Sequence, residues 1–302
     1  MPELPDVTLY VEALRRSVAG QRLERVRIAS PFLIRSVEPP VFALEGRALR
    51  EVRRLGKRIV LGFEEDLFAV LHLMIAGRLR WEPPGAKAPG KIGLAAFAFE
   101  RGALLLTEAG TKKRASLHVV RGEAALKAHD PGGLDVFALE AAAFAAALRR
   151  ENRTLKRALA NPRLFDGIGN AYGDEILHAA GLSPVALTGR LDDEACARLL
   201  KAARDVLGRG LERLRAEFGE RFPGAGEITA FRPEFAVHGK YGKPCPACGT
   251  RVQRIRYAEN ETNYCPRCQT GGKLLADRSL SRLLKDDWPR TIEAWEEGQP
   301  AT

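Results

Sequence analysis

From about Leu23 to Arg121 the chain is strand-like: short apolar runs are broken by turn residues. Leu61 to Leu73 predicts two apolar strands joined by the acidic turn Glu64-Glu65-Asp66, and Leu94 to Thr107 repeats that plan around Glu100-Arg101-Gly102. A Pro/Gly-rich loop, Pro83 to Gly90, separates two of the strands. Strands at this spacing predict a sandwich or barrel. One helix precedes them, with Asp6 as its expected N-cap, Val7, Val11, Leu14 and Val18 as its apolar stripe, and Gly20 just past its end.

Around Asp130-Pro131-Gly132-Gly133 the pattern switches to helices. Phe137 to Leu159 is Ala-rich, and Asn170 to Ala180 is short and stops at Gly181. Leu191 to Phe218 is long, with Leu199, Ala203, Val206 and Leu214 at helical spacing. A small third module, Phe231 to Gly272, carries four of the five cysteines, and one more helix is expected in the tail at Ser279 to Asp286.

Composition narrows the class without choosing a function. With 302 residues, 45% hydrophobic and 28% charged, the chain suits two domains more readily than one and argues against wholesale disorder. The 48 Lys+Arg against 38 Asp+Glu give a net charge of +10, which fits a polyanionic partner. No apolar run is long enough to span a bilayer, and the N-terminal segment lacks the apolar core of an export signal. Five cysteines are too few for a disulfide scaffold at this size.

Four of them fit another role. Cys245-Pro-Ala-Cys248 and Cys265-Pro-Arg-Cys268 are separated by sixteen residues, the spacing of a four-thiolate zinc site built on two turns around a β-hairpin. Four thiolates leave tetrahedral zinc no open position, so the one zinc ion is structural. Arg251, Arg254 and Arg256 lie between the pairs on a basic strand, as expected of a hairpin that meets phosphate, although taken alone a solvated face explains them better. Cys196 falls inside the long helix as a small buried residue.

Two further features carry chemistry. Gly167-Ile-Gly169-Asn170 joins two helices, and the N-terminus of the helix opened by Asn170 presents free N–H groups to an anion such as a backbone phosphate; a plain helix cap is the commoner use. At the front of the chain, Pro2 follows the initiator methionine, whose removal exposes a secondary amine beside Glu3. An α-amine titrates near neutral pH, so a useful fraction is nucleophilic. Alone, this segment reads as a frayed terminus.

Taken together, these segments resemble the formamidopyrimidine-DNA glycosylase/endonuclease VIII family of base-excision repair enzymes. The resemblance rests on Met-Pro-Glu-Leu-Pro-Asp-Val at the start, Gly56-Lys57-Arg58, His72-Leu73, the run from Gly167 through Asn170 to Glu175, and Cys265-Pro-Arg-Cys268-Gln269, in family order from residue 1 to about 270. It implies an α+β multidomain chain: an N-terminal β-sandwich with a leading helix (1–130), a helix–two-turn–helix domain (131–225), a zinc finger (226–273) and a tail (274–302). DNA would lie in the cleft between the two halves of a monomer, in the bacterial cytoplasm. By the same resemblance Pro2 is the nucleophile that forms a Schiff base with the sugar of an extruded nucleotide, Glu3 the general acid and Lys57 the β-elimination lysine. Lys113, Lys156, Asn170, Arg254 and Arg256 would contact damaged DNA, and Cys245, Cys248, Cys265 and Cys268 would hold the zinc.

Departures from the family pattern shape the expectation. The family's hairpin arginine, five residues before the third cysteine and tied to δ-elimination, is Asn260 here, followed by Glu261. Arg254 or Arg256 takes its place only if the hairpin register allows it. Of the family's three void-filling residues, Ile75 stands for the Met, Lys113 for the Arg, and Ala115 offers no aromatic ring. Lysine lacks the planar fork of arginine. Ile92 and Leu94 stand where histidines are frequent in the family. The expected activity is therefore a bifunctional glycosylase/abasic-site lyase with altered lesion specificity. A silent relative that binds damaged or abasic DNA is the alternative, and a zinc-ribbon protein acting on RNA or transcription is a third class.

Overall fold

A computed structural model describes residues 1–257, 260–276, 283 and 289–297. The chain divides into two compact units, Met1–Gly133 with Gly208–Ala230, and Leu134–Leu207 with the chain from Phe231 onward. Apart from Leu283, which is helical, the tail helix expected at Ser279 to Asp286 lies outside the described residues.

In the first unit, helix α1 (Leu4–Val18) is followed by eight antiparallel strands: β1 (Leu23–Ile28), β2 (Leu49–Leu55), β3 (Arg58–Phe63), β4 (Leu67–His72), β5 (Gly77–Glu82), β6 (Gly93–Phe99), β7 (Gly102–Glu108) and β8 (Ser116–Arg121). They form two four-stranded sheets, ordered β1-β6-β7-β5 and β2-β3-β4-β8. The acidic turn Glu64-Glu65-Asp66 joins β3 to β4 as expected, with Glu65 and Asp66 both at positive φ, as tight hairpins require. Leu61 and Leu71, with Phe97 and Leu104 from the other sheet, share one core with Val7, Leu14 and Val18 of α1. That common core makes the unit a sandwich.

Strand β4 is apolar along nearly its whole length because both its faces are covered. Leu67, Ala69 and Leu71 point into the inter-sheet core, while Phe68 and Val70 pack with Val60 under Leu126 of α2 (Glu123–Lys127).

Two expectations about helix ends are corrected. The cap of helix α1 lies three residues before the expected one: Glu3 is the N-cap, Pro5 occupies the first turn, and Asp6 is the third helical residue, its Oδ2 accepting the Glu3 backbone N–H at 2.8 Å. An acidic residue at either end of a capping box can satisfy a free N–H, so the motif alone does not say which residue leads. The Ala-rich stretch forms two helices, α3 (Ala141–Arg149) and α4 (Leu155–Leu159). Between them, Arg153 exchanges hydrogen bonds with Thr188 and Thr154 bridges Leu187, which takes this backbone out of helical pairing.

Helix α5 (Asn170–Ala180) stops at Gly181 in the left-handed conformation. Helix α6 (Asp193–Phe218) starts two residues later than expected, where Asp192 accepts the Ala195 N–H. Its last turns belong to the first unit, whose core includes Leu214 and Phe218. In the second unit the hairpin β9 (Gln253–Tyr257) and β10 (Asn260–Tyr264) precedes α7 (Pro266–Thr270), and α8 (Ile292–Glu297) follows. Cys196 is buried within α6, as expected. No helix among the described residues is long and apolar enough to cross a membrane.

Candidate active site, zinc site and nucleic-acid contacts

The front of the chain is folded in, not frayed. Pro2 is buried, and Glu3 is only 3% exposed at the head of α1. The terminal amine, carried by Met1, is pushed below its ordinary range, chiefly by burial and further by the positive charges of Arg78 and Lys57; Glu3 and Asp6 pull the other way. A depressed pKa leaves more of an amine neutral, the form that attacks carbon. With Met1 attached, the Pro2 nitrogen is an amide and has no such reactivity. Removing Met1 makes it the terminal secondary amine.

Lys57 reaches this neighbourhood through a two-residue turn. Leu55 pairs with Arg58 across β2 and β3, leaving Gly56-Lys57 as the loop, with Gly56 at φ +61°. Glycine in the first loop position supplies the positive φ that a tight hairpin needs. The turn tucks Lys57 to 8% exposure. His72, paired with Arg58 across β3 and β4, is held neutral: burial first, then Arg58 and Lys57, push its pKa down to about 4.

Arg78, absent from the residues singled out in the sequence, donates to the Ile228 carbonyl at 2.6 Å and to the Ile75 and Gly77 carbonyls at 3.1 and 2.7 Å. Its only signal in the sequence is an arginine on an alternating strand, which reads as a solvated face. In the loop it braces, Met74 holds φ +52° and Ile75 stands 54% exposed.

The loop after β7 closes on buried Glu108. Its Oε2 accepts the backbone N–H groups of Arg114 and Ala115, and the Lys113 ammonium caps its carbonyl oxygen. Lys113 is thus half-buried and engaged, and Ala115 is buried.

In the second unit the candidate phosphate ligands are built around Asp174, whose side chain is fully buried. One carboxylate oxygen pairs with Lys156; the other meets His238 Nδ1 at 2.7 Å and the Asn263 N–H at 3.1 Å. Lys156 also donates to the Asn170 carbonyl, and Asn170 Nδ2 donates to the Glu261 carbonyl at 2.9 Å. Lys156, which reads as a helix-surface charge, is thereby 8% exposed. The neighbouring Glu175 accepts N–H groups from Ala236, Val237 and His238 at 2.8 to 2.9 Å, tying α5 to the segment that leads into the cysteine module. Burial pushes the Glu175 pKa up against those three donors.

The four cysteines converge. Their sulfur atoms lie within 4.8 Å of one another, with Cys248 at 3.4 Å from both Cys265 and Cys268. Four thiolates on tetrahedral zinc at ~2.3 Å stand about 3.8 Å apart, so this set fits one zinc ion. Cys245 and Cys248 sit on a turn before β9, and Cys265 and Cys268 at the head of α7. The Cys265 N–H donates to Gln269 Oε1, Gln269 Nε2 donates to the Leu182 carbonyl, and His178 Nε2 of α5 lies 3.2 Å from the Cys245 sulfur.

Sequence profiles match along the chain: the formamidopyrimidine-DNA glycosylase N-terminal domain over residues 1–114, its H2TH domain over 133–218, and the zinc finger found in FPG and IleRS over 242–271. The formamidopyrimidine-DNA glycosylase of Variovorax paradoxus is 33% identical over 276 residues, covering 89% of this chain and all of the relative. That of Heliobacterium modesticaldum is 32% identical over 279 residues with the same coverage. The chain belongs to the formamidopyrimidine-DNA glycosylase family. Solved structures share its fold at 23% identity and a TM-score of 0.78. They include MutM in complex with DNA containing carbocyclic 8-oxo-G, which it matches over 89% of this chain and all of that one, and Lactococcus lactis Fpg with DNA containing an abasic site, over 89% and 99%.

Against the family pattern, the hairpin gives a clear answer about the missing arginine. Asn260 pairs with Tyr257, whereas Arg256 pairs with Glu261 and Arg254 with Asn263. Side chains alternate faces along a strand, so Arg254 and Arg256 lie on the face opposite to that of Asn260. Both guanidinium groups are held at Glu261 Oε2, at 3.3 and 3.2 Å, and Asn263 Nδ2 donates to Oε1 at 2.9 Å. Arg254 also lies 4.0 Å from the Tyr241 ring centre. The register therefore brings no arginine to the family's position.

Proposed function

We propose that the chain is a bifunctional DNA glycosylase and abasic-site lyase whose nucleophile is the Pro2 amine released by loss of Met1. The observation that carries this reading is the burial of the chain's front end beside Glu3, under the electrostatic influence of Lys57 and Arg78. In this mechanism the damaged nucleotide leaves the stack, because the anomeric carbon is out of reach inside a duplex. The neutral Pro2 nitrogen attacks that carbon as Glu3 delivers a proton to the sugar ring oxygen and the ring C–O bond opens; the nitrogen's electron pair then expels the base, which leaves with the proton the nitrogen sheds. The resulting iminium acidifies the adjacent C2′ proton, whose removal, with Lys57 alongside, expels the 3′ phosphate. Lys156 and Asn170 hold the phosphate backbone, Arg254 and Arg256 divide their charge between it and Glu261, and Lys113 acts close to the extruded base.

Lesion preference follows from what surrounds the vacated stack. Exposed Ile75 offers an apolar wedge without the length of Met, and buried Ala115 offers none. A site with so little to fill the void favours lesions that already stack and pair weakly, such as oxidised pyrimidines, abasic sites or damage in single strands, over 8-oxoguanine. The pairing of Arg254 and Arg256 with Glu261 favours a second reading, a silent binder of abasic DNA with a weakened grip.

Borohydride trapping on abasic duplex separates the two. The enzyme gives a covalent adduct that disappears when the N-terminal nitrogen is blocked by acetylation; a silent binder retards the duplex without trapping. An adduct that persists with the terminal nitrogen blocked would refute the nucleophile assignment.

A further inference from the structure

A recess of about 380 Å³ opens in the second unit, away from Lys156, Asn170 and the hairpin in its lining residues. Its walls are Ala147, Arg150 and Glu151 at the end of α3, Arg153 in the following loop, and Asn161, Arg163 and Leu164 from the turn after α4. Arg149 to Arg153 reads in sequence as an ordinary charged loop. The fold adds Arg163 from ten residues further on.

Three guanidinium groups face one carboxylate here. Glu151 is already neutralised by Arg153. Arg150 and Arg163 make no side-chain hydrogen bond or ion pair among the described residues. The recess thus carries two uncompensated positive charges over walls that include apolar Ala147 and Leu164.

Its frame is fixed without help from a ligand. Buried Thr188 donates through its hydroxyl to the Glu151 carbonyl at 2.7 Å and accepts the Arg153 N–H at 3.1 Å. Asn152 Oδ1 accepts the Gly189 N–H at 3.2 Å. On the opposite wall, the Leu164 N–H donates to the Asn161 carbonyl, and the Arg163 N–H to Asn161 Oδ1. Only the arginine arms remain to be ordered on binding.

We propose that this recess is an anion site that takes a phosphate-bearing ligand, gripped by Arg150 and Arg163 with Arg153 as the third donor. Planar guanidinium forks match phosphate oxygens two at a time, and two unpaired forks facing one hollow suit a group that carries two charges. The phosphate comes either from the DNA backbone away from the lesion or from a free nucleotide. The site stands independently of the Pro2 chemistry.

The test uses the full zinc-bound chain, the double variant R150Q/R163Q, and Arg25→Gln as an exposed control in the first unit. Calorimetry with inorganic pyrophosphate reads the free-nucleotide source, and the salt dependence of binding to an undamaged duplex of about 20 base pairs reads the DNA source. We expect the double variant, but not the control, to lose pyrophosphate affinity at least tenfold, or to flatten the slope of log K against log salt by about 1 to 2. The first result alone assigns free nucleotides, and the second assigns backbone phosphate. If the double variant matches the parent chain in both arms, the proposal is overturned. Borohydride trapping, run alongside, stays at parent level if the recess is separate from the catalytic centre.

Discussion

Arg256 faces Glu261 directly across the β9–β10 hairpin, with Nε 3.2 Å from a carboxylate oxygen that Arg254 also approaches at 3.3 Å. A strand that looks basic in sequence is thus partly neutralised by its own partner strand. Glu261→Gln keeps the Asn263 contact and releases both guanidinium groups to phosphate. The variant should bind duplex DNA several-fold more tightly at low salt, with a log K against log salt slope steeper by about 1 to 2. An unchanged slope would show that neither arginine reaches the backbone.

The opposite face of the ribbon carries Asn260, with no arginine beside it in register. Product gels should accordingly show mainly β-eliminated ends. Asn260→Arg restores a cation on that face and should raise the δ-eliminated fraction. Predominantly δ-eliminated ends from the parent chain would contradict the assignment.

Asp174 holds Lys156, His238 and the Asn263 backbone at once from a fully buried position. Removing one member of a buried ion pair leaves the other charge without compensation, at a cost of about 3–5 kcal/mol. Asp174→Ala should therefore lower the melting temperature by many degrees. Lys156→Met in the same background should restore part of the loss. Strict additivity of the two substitutions would argue against the coupling.

Sequence patterning revealed much of this architecture, for identifiable reasons. The strands and their turns were legible because each depends on neighbours in sequence: Glu64-Glu65-Asp66 closes β3 on β4 wherever the rest of the chain goes. The cysteine spacing was legible because zinc fixes it. What stayed hidden joins distant residues. Nothing near Lys156 announces that Asp174 buries it, and the link from Glu175 to Ala236, Val237 and His238 spans over sixty residues. The exchange of roles between Glu3 and Asp6 was hidden for another reason, since a reciprocal cap reads almost alike from either end. The catalytic roles proposed for Pro2, Glu3 and Lys57 rest on family resemblance; the structure adds their burial.

His72 gives the fold a defined sensitivity to acid. Its folded pKa of about 4 lies below the ordinary value of 6.5, so the unfolded chain takes up the proton first. The stability this group contributes is complete above about pH 6.5 and is lost as pH falls toward 4. His72→Gln should flatten the fall in unfolding free energy across that window relative to the parent chain. Parallel pH profiles for the two proteins would show that His72 is not held neutral by the fold.

The most direct test of the account is to locate the trapped sugar. Active protein is reduced with borohydride on abasic duplex, digested, and its N-terminal peptide weighed. The account predicts a peptide that starts at Pro2 and carries the mass of the reduced deoxyribose fragment on its terminal nitrogen. A trapped peptide that retains Met1, or an adduct on Lys57 or any other lysine, would contradict it.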